Sequence, residues 1–288
     1  PTDGFVMFNT TYPAVTPGDA LATSAEAAKA NPISIPVSRV VAKAAVVKST
    51  SFVVNGGGTM QNITYGWRNI NRRFYFIPKI DGGIIKDYNW DSYNVNDFVR
   101  GTDQIPVNEA TATPTTFSYA LENSFNYIPG SSLVDQTTFL SIQGQFLPTQ
   151  ICRIKTGVTA PQGATDFEFV NNPNGYGTFY VVRTDDGSSN YFITGTDAEK
   201  YAELCIAHAP DMPALTGGYS LSDNTFTNGM CYFHVLVNSA ASGQYGPYGI
   251  YRNQYYRMTL NSIQAPGNPN DNFDHNQVIS PNTWVDVN

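Results

Sequence analysis

The residues that could support catalysis are few, and their spacing does not form a recognisable active site. His208 and His234 have no serine or cysteine nucleophile motif nearby, so a catalytic triad cannot be proposed from the sequence. Acidic residues are present, but no motif pairs them as the two carboxylates of a glycosidase. We therefore predict that the protein is not an enzyme, and a hydrolase remains an alternative without a supporting motif.

Two polar segments are the natural places to look for a bound ion, and neither has the required pattern. The glycines of Gly56–Gly58 lie between two strand-like segments, whereas a phosphate loop is followed by a helix whose N-terminus faces the anion. Asn270, Asp271, Asp274 and His275 crowd together, but their spacing is not that of an EF-hand-type loop. We predict no metal and no cofactor.

The three cysteines, Cys152, Cys205 and Cys231, form an odd set with no C-x-x-C pair and no histidine at ligand spacing. This arrangement argues against a structural zinc site. The simplest interpretation is that each is a small buried apolar residue, because free cysteine is usually buried. One disulfide with a leftover thiol is the other possibility.

Aromatic side chains in a loop provide the best candidate for ligand contact. Tyr88, Trp90 and Tyr93 lie within the loop-rich segment 78–113, and exposed aromatic rings often form sugar-binding surfaces because a sugar ring packs on an aromatic face. We predict a glycan contact at these three residues. The alternative is that the long loop packs onto its own domain.

Composition excludes several classes of partner. The 288 residues carry a net charge of −7, and only 14% of them are charged. Binding to nucleic acid or to an anionic membrane requires clustered Lys and Arg, so neither is expected. No apolar run is long enough to span a bilayer. Aromatics make up 13%, which favours a β-rich protein.

Period-two alternation predicts most of the elements. In the segment Tyr251–Ile263, Tyr256, Met258 and Leu260 fall on one face and Arg257 on the other, as in a strand with one buried face.

Two hairpins and one helix are also predicted. We expect Phe52–Val54 to pair with Met60–Tyr65 across the glycines, and Thr178–Arg183 to pair with Tyr191–Ile193. Only Thr196–Ala209 has a convincing helical stripe, in which His208 is expected to be packed.

Four segments together resemble a known family. Ile63–Phe76, Phe117–Asn123, Thr138–Phe146 and Tyr251–Ile263 occur in the same order as similar segments in the C-terminal portion of Bacteroidales-type fimbrillins, the major subunits of type V pili. The last segment contains Arg-Asn-Gln-Tyr-Tyr, which is similar to the family's arginine-asparagine-aromatic signature. With the strand pattern, the resemblance implies an all-β, transthyretin-like antiparallel β-sandwich with long loops and one short helix.

The resemblance also implies a domain division. Residues 1–38 are expected to be the remnant or edge of an N-terminal β domain plus a linker, and residues 39–288 the C-terminal fimbrillin β-sandwich. The sequence has no recognisable signal peptide and ends within an alternating segment. We therefore expect a shorter family member, or a chain that has been processed or is incomplete.

The function implied by the resemblance is that of a structural pilin subunit. Such a subunit is made as a lipoprotein precursor, loses an N-terminal strand to a trypsin-like protease, and polymerises by donor-strand addition into an adhesive fimbria attached to the outer membrane. The expected partners are other copies, accessory anchor and tip pilins, and host or bacterial surface ligands. The residues predicted at the polymer interface are Trp284, Val285 and Val287.

A different function is the alternative. The chain could be a glycan-binding tip adhesin, or a surface carbohydrate-binding module, of similar architecture. That hypothesis depends on the aromatic loop residues Tyr88, Trp90 and Tyr93.

Overall fold

Two four-stranded sheets face each other across a shared core in the computed structural model, which describes residues 4–9, 22–238, 246–280 and 285–287. The first sheet has the strand order β10-β3-β18-β19: Ser118–Leu121, Val41–Val54, Tyr255–Ile263 and Val285–Val287. The second has the order β17-β11-β4-β9: Met230–Val235, Phe139–Pro148, Gly58–Arg68 and Ile105–Pro106.

The core of the sandwich follows the predicted alternation. Met258 and Leu260 of β18 are buried together with Ala42, Ala44 and Val46 of β3. Tyr65, Trp67, Ile142 and Phe233 project from the facing sheet into the same cluster. Removal of apolar surface from water, which contributes about 25 cal/mol per Å², drives this packing. The predicted all-β sandwich is confirmed.

One pair of strands departs from the antiparallel pattern. β18 runs parallel to β3, with Tyr255 opposite Lys43 and Ile263 opposite Val54. All other pairs between the named strands are antiparallel. A parallel pair requires a long connection between its strands, and here the whole second sheet lies in that connection.

The predicted hairpin around the glycines is wrong. β3 and β4 belong to different sheets, and the segment Gly56–Gly58 carries the chain across the core. Phe52 and Val54 pack against the core, so their side chains face β4 across the sandwich. Gly56 has a φ of +73°, and a Cβ there would lie 2.5 Å from the carbonyl oxygen of Gln264, so glycine is required at this crossing.

A second cluster of buried residues lies around the longer helix. Strands β14 (Phe179–Arg183) and β15 (Ser189–Phe192) form the predicted hairpin. β14 also pairs with β16 (Thr225–Phe226), while β12 (Gln150–Ile154) pairs with β13 (Phe167–Asn171). This helix packs against these strands through residues that include Tyr201, Leu204 and Cys205.

The structure has two α-helices in its described part, where one was predicted. The additional one, α1 (Ala25–Ala30), is capped by Ser24 and buries no residue. α2 spans Gly195–Ile206 and begins at the Thr194 cap. The expectation that His208 is packed is wrong: it lies beyond the helix, exposed, with a φ of +50°.

The remaining strands are short. β1 (Met7–Asn9) pairs with β2 (Val37–Arg39), β5 (Ile70–Asn71) with β8 (Phe98–Val99), and β6 (Lys79–Asp81) with β7 (Ile84–Lys86). The β1 segment contacts the sandwich through rings: Phe5 lies 4.8 Å from Tyr119, and Phe8 lies 4.9 Å from Phe76. The domain division at residue 38 stays a prediction.

All three cysteines are free and buried, as predicted. Burial raises the pKa of Cys152 to about 12 and that of Cys205 to about 11. These side chains therefore stay protonated and act as small apolar groups. Within the described residues, no helix is long and apolar enough to cross a membrane.

Candidate functional site

The segments that carry the fimbrillin resemblance meet at the start of β18, where a buried ion pair joins two of them. Arg252 donates from Nε and Nη2 to the two oxygens of Glu122, both at 2.9 Å. Its guanidinium also donates to the carbonyls of Tyr75 and Phe76, at 2.6 and 2.9 Å. Glu122 is fully buried and Arg252 almost so. A planar guanidinium suits this two-point contact.

Trp67 connects another of these segments to the same place. Its indole N–H donates to the carbonyl of Ser118 at 3.1 Å, and its ring meets that of Tyr256 edge-on at 6.1 Å. Trp67 is fully buried. The tryptophan therefore fixes β4 and the start of β18 against β10 from inside the core.

The segment Thr138–Phe146 forms most of the central strand β11. Its Gly144 lies at a register irregularity between β11 and β4. A Cβ there would lie 2.9 Å from the carbonyl oxygen of Gln61, so the two backbones approach too closely for a side chain.

β19 forms the outer edge of the first sheet and is held by few contacts. It pairs with β18 through Leu260–Val287, Ser262–Asp286 and Ile263–Val285, with a bulge between Leu260 and Ser262. Val285 is buried in the core and Val287 packs against it half-buried, while Asp286 is exposed. The two predicted interface valines thus point inward. Trp284, the third, lies outside the described residues.

The edge of β18 continues past β19. β3 pairs with β18 from Tyr255 onward, whereas β19 reaches only as far as Leu260. Along Arg257–Thr259, the described part of the chain places no strand on the edge opposite β3. We call this stretch the β18 edge. Exposed strand edges offer N–H and C=O groups to a further strand.

The three predicted glycan-contact residues are near in sequence but make separate contacts. Tyr88 accepts a hydrogen bond from Arg73 at 3.0 Å, Trp90 lies 5.4 Å from the Lys86 ammonium, and the Tyr93 ring lies 5.8 Å from that of Phe98. All three side chains are half-buried. Their role in binding a glycan, and with it the tip-adhesin alternative, stays a prediction.

The segment considered for metal binding forms a second buried ion pair. Asp271 accepts hydrogen bonds from Arg68 and Ser141, each at 2.5 Å, and its carboxylate lies 3.1 Å from His234 Nε2 and 3.3 Å from Arg100. Burial alone would raise the pKa of Asp271, but the hydrogen bonds from His234, Ser141 and Arg68 together outweigh it and hold that pKa well below its usual range. Asp271 therefore stabilises the outer face of the second sheet as a carboxylate.

The comparisons with known proteins agree with the sequence resemblance. The family described as "Major fimbrial subunit protein type IV, Fimbrillin, C-terminal" matches residues 224–288, which contain β16, β17, β18 and β19. The fimbrillin resemblance is therefore confirmed for this C-terminal segment. A search of curated protein sequences found no match.

Two solved structures align with most of the chain at low similarity. One is a fimbrilin from Porphyromonas gingivalis W83, at 16% identity and a TM-score of 0.34, with 82% of this chain and 54% of that chain covered. The other is described as a candidate cell adhesion protein from Parabacteroides distasonis, at 13% identity and a TM-score of 0.35, with 88% and 52% covered. The chain thus spans about half the length of each.

Proposed function

We propose that this protein is a structural pilin subunit that polymerises by donor-strand addition into an extracellular fimbria attached to the outer membrane. The observation that supports the proposal is that the family match and an open strand edge occur in the same segment of the chain. The family match covers residues 224–288, and the weakly held strand β19 and the β18 edge both lie within that segment.

The physical mechanism is addition of a strand to a sheet. The C-terminal strand of a second copy hydrogen-bonds along the β18 edge, with its Val285 and Val287 in the inward positions that β19 occupies here. β19 itself pairs at only three positions. A donor that extends along Arg257–Thr259 would gain additional backbone hydrogen bonds, each worth about 1 kcal/mol, so a longer strand is favoured over β19 alone.

The partners follow from this mechanism. The main partner is a second copy of the chain, and accessory anchor and tip pilins would begin and end the polymer. Attachment to host or bacterial surface ligands, synthesis as a lipoprotein precursor and removal of an N-terminal strand by a trypsin-like protease belong to the same proposal. No catalytic activity is part of it.

Electron microscopy of protein treated briefly with trypsin, beside untreated protein, tests the proposal. We expect filaments and an SDS-resistant ladder only after cleavage. Val287→Asp places a charge at an inward position and is expected to abolish filaments. Asp286→Asn, one residue away and outward, serves as the matched control and should still assemble. Monomers in size-exclusion chromatography under both conditions would contradict the proposal.

A further inference from the structure

A cleft of about 720 Å³ opens at the end of the sandwich where five separate segments meet. These are the β3–β4 crossing, the start of β12, its partner strand β13, the β14–β15 turn and the residues that follow β18. We call it the polar cleft. Ligand pockets in proteins typically measure about 300–1,000 Å³, so the volume suits a small oligosaccharide. Neither β19 nor the aromatic loop residue Trp90 lines it.

The chemistry of the polar cleft is neutral and rich in hydrogen-bonding groups. Every residue that lines it is uncharged. The side-chain amides of Gln150 and Asn190 make no hydrogen bond to the described part of the chain, so their donors and acceptors remain available. An amide offers two N–H donors and a carbonyl acceptor, which matches adjacent hydroxyls of a sugar that both donate and accept.

Other side chains hold the walls of the polar cleft in place. The Tyr191 hydroxyl donates to the carbonyl of Gly56 at 2.5 Å. The Gln264 amide donates to Ser262 at 2.7 Å and accepts from Asn55 at 3.0 Å. A cleft whose walls are already hydrogen-bonded loses less conformational entropy when it binds a ligand.

An exposed aromatic ring completes the cleft. Phe169 of β13 is 59% exposed although its strand partner Cys152 is fully buried. The face of an aromatic ring carries partial negative charge, and the C–H groups of a pyranose ring pack against such a face. An anionic ligand would need a lysine or arginine in the lining and a cation would need a carboxylate, and the lining has neither.

We infer that the polar cleft binds a neutral oligosaccharide, with Phe169 stacking on one sugar ring and Gln150 and Asn190 bonding its hydroxyls. The site is separate from the loop of Tyr88, Trp90 and Tyr93. It also goes beyond polymerisation, because binding here requires neither cleavage nor filament formation.

The test is binding of the full-length chain, without protease treatment, to an array of neutral, sialylated and sulfated oligosaccharides. Titration calorimetry with the neutral oligosaccharide that binds best follows. We expect neutral binders, and we expect Phe169→Ala to weaken binding roughly tenfold, or by about 1.4 kcal/mol, because the ring contact is lost. Gln150→Ala and Asn190→Ala should each weaken it by a similar factor.

Matched controls separate the cleft from general effects. Phe76→Ala removes another exposed phenylalanine, 49% exposed, that does not line the cleft, and should leave affinity unchanged. Thermal unfolding checks that each variant is folded. The inference would be overturned by an array with no neutral binder, by binding of acidic glycans only, or by neutral binding that survives Phe169→Ala and Gln150→Ala together.

Discussion

Two buried ion pairs, one beside each sheet, are built differently. Glu122 and Arg252 form a one-to-one contact in which one guanidinium satisfies both carboxylate oxygens. Asp271 instead collects donors from several strands: Arg68 on β4, Ser141 on β11 and His234 on β17.

This difference sets what each pair does for the fold. The first pair connects two segments that are 130 residues apart in sequence, at the start of the strand with the open edge. The second fastens a loop over the outer face of a sheet whose strands already pair with each other. Loss of a partner should therefore harm the first pair more than the second.

Substitution of Arg252 by methionine should have the largest effect. It leaves the Glu122 carboxylate fully buried with its matching cation removed, and loss of one partner of a buried pair costs about 3–5 kcal/mol. We expect that decrease in the free energy of unfolding, measured by urea denaturation at pH 7.

The double variant Arg252→Met with Glu122→Gln is the control for this prediction. It removes the buried charge, so it should recover part of the lost stability. A decrease below about 1 kcal/mol in the single variant would mean that the pair contributes little, and the contrast between the two sheets would then disappear.

Asp271→Asn should cost less, about 2–3 kcal/mol, because an asparagine oxygen still accepts a hydrogen bond. The guanidinium of Arg68 also keeps its contacts with the carbonyls of Trp67 and Asp103, at 3.0 and 3.3 Å. Urea denaturation of the variant at pH 7 measures this. A loss equal to that of Arg252→Met would contradict the comparison.

The pH dependence of the same variant sharpens the test. Although burial opposes it, the folded-state pKa of Asp271 lies below the ordinary 3.8. Its contribution is therefore present above pH of about 4 and lost as the pH falls through the lower folded value. Asp271→Asn should flatten this part of the acid unfolding curve, whereas Asp286→Asn, at an exposed position, should leave the curve unchanged.

The local sequence pattern predicted the helices and strands of this fold better than it predicted which strands pair with each other. The alternation of Met258 and Leu260, the helix around Tyr201 and the turn between β14 and β15 all depend on neighbours in sequence, and these predictions are confirmed. The prediction of a hairpin at Gly56–Gly58 is wrong because alternation does not indicate which sheet a strand joins. Packing against the core on both sides of this crossing determines which sheet each strand joins, and such packing depends on residues far apart in sequence.

The site residues show the same limit. Glu122 and Arg252 both lie in the segments that carry the family resemblance, yet nothing local indicates that they contact each other. Asp271 lies in a run of polar residues that we considered as a metal site. A carboxylate is buried there because residues of three strands donate hydrogen bonds to it. The polar cleft combines Gln150, Asn190 and residues of three other segments, so no single motif could predict it.

A third buried carboxylate, Asp87, lies beside the Glu122–Arg252 pair, and its substitution should give the smallest effect at acid pH. Burial raises the pKa of Asp87 from 3.8 to about 8. The backbone hydrogen bond of Tyr88 opposes this rise, the Glu122 carboxylate adds to it, and Arg252 and the backbone hydrogen bond of Tyr75 oppose it more weakly. Asp87 is therefore mostly protonated in the folded protein at pH 7, and asparagine is a close substitute. We expect Asp87→Asn to change stability by less than about 1 kcal/mol only below about pH 4, where the carboxyl is protonated in both states, and to stabilise the protein at pH 7.

The pH profile should distinguish this variant clearly. Because the folded-state pKa of Asp87 is the higher one, the folded protein binds more protons than the unfolded chain between about pH 4 and pH 8, so this group lowers wild-type stability as the pH rises, by up to about 1.4 kcal/mol per pH unit. Asp87→Asn should remove that decline and be more stable than wild type at pH 9 in urea denaturation. If the stability of wild type and of Asp87→Asn changed in parallel between about pH 4 and pH 9, Asp87 would be ionised in the folded protein, as Asp271 is. Buried carboxylates beside the two sheets would then be stabilised in the same way.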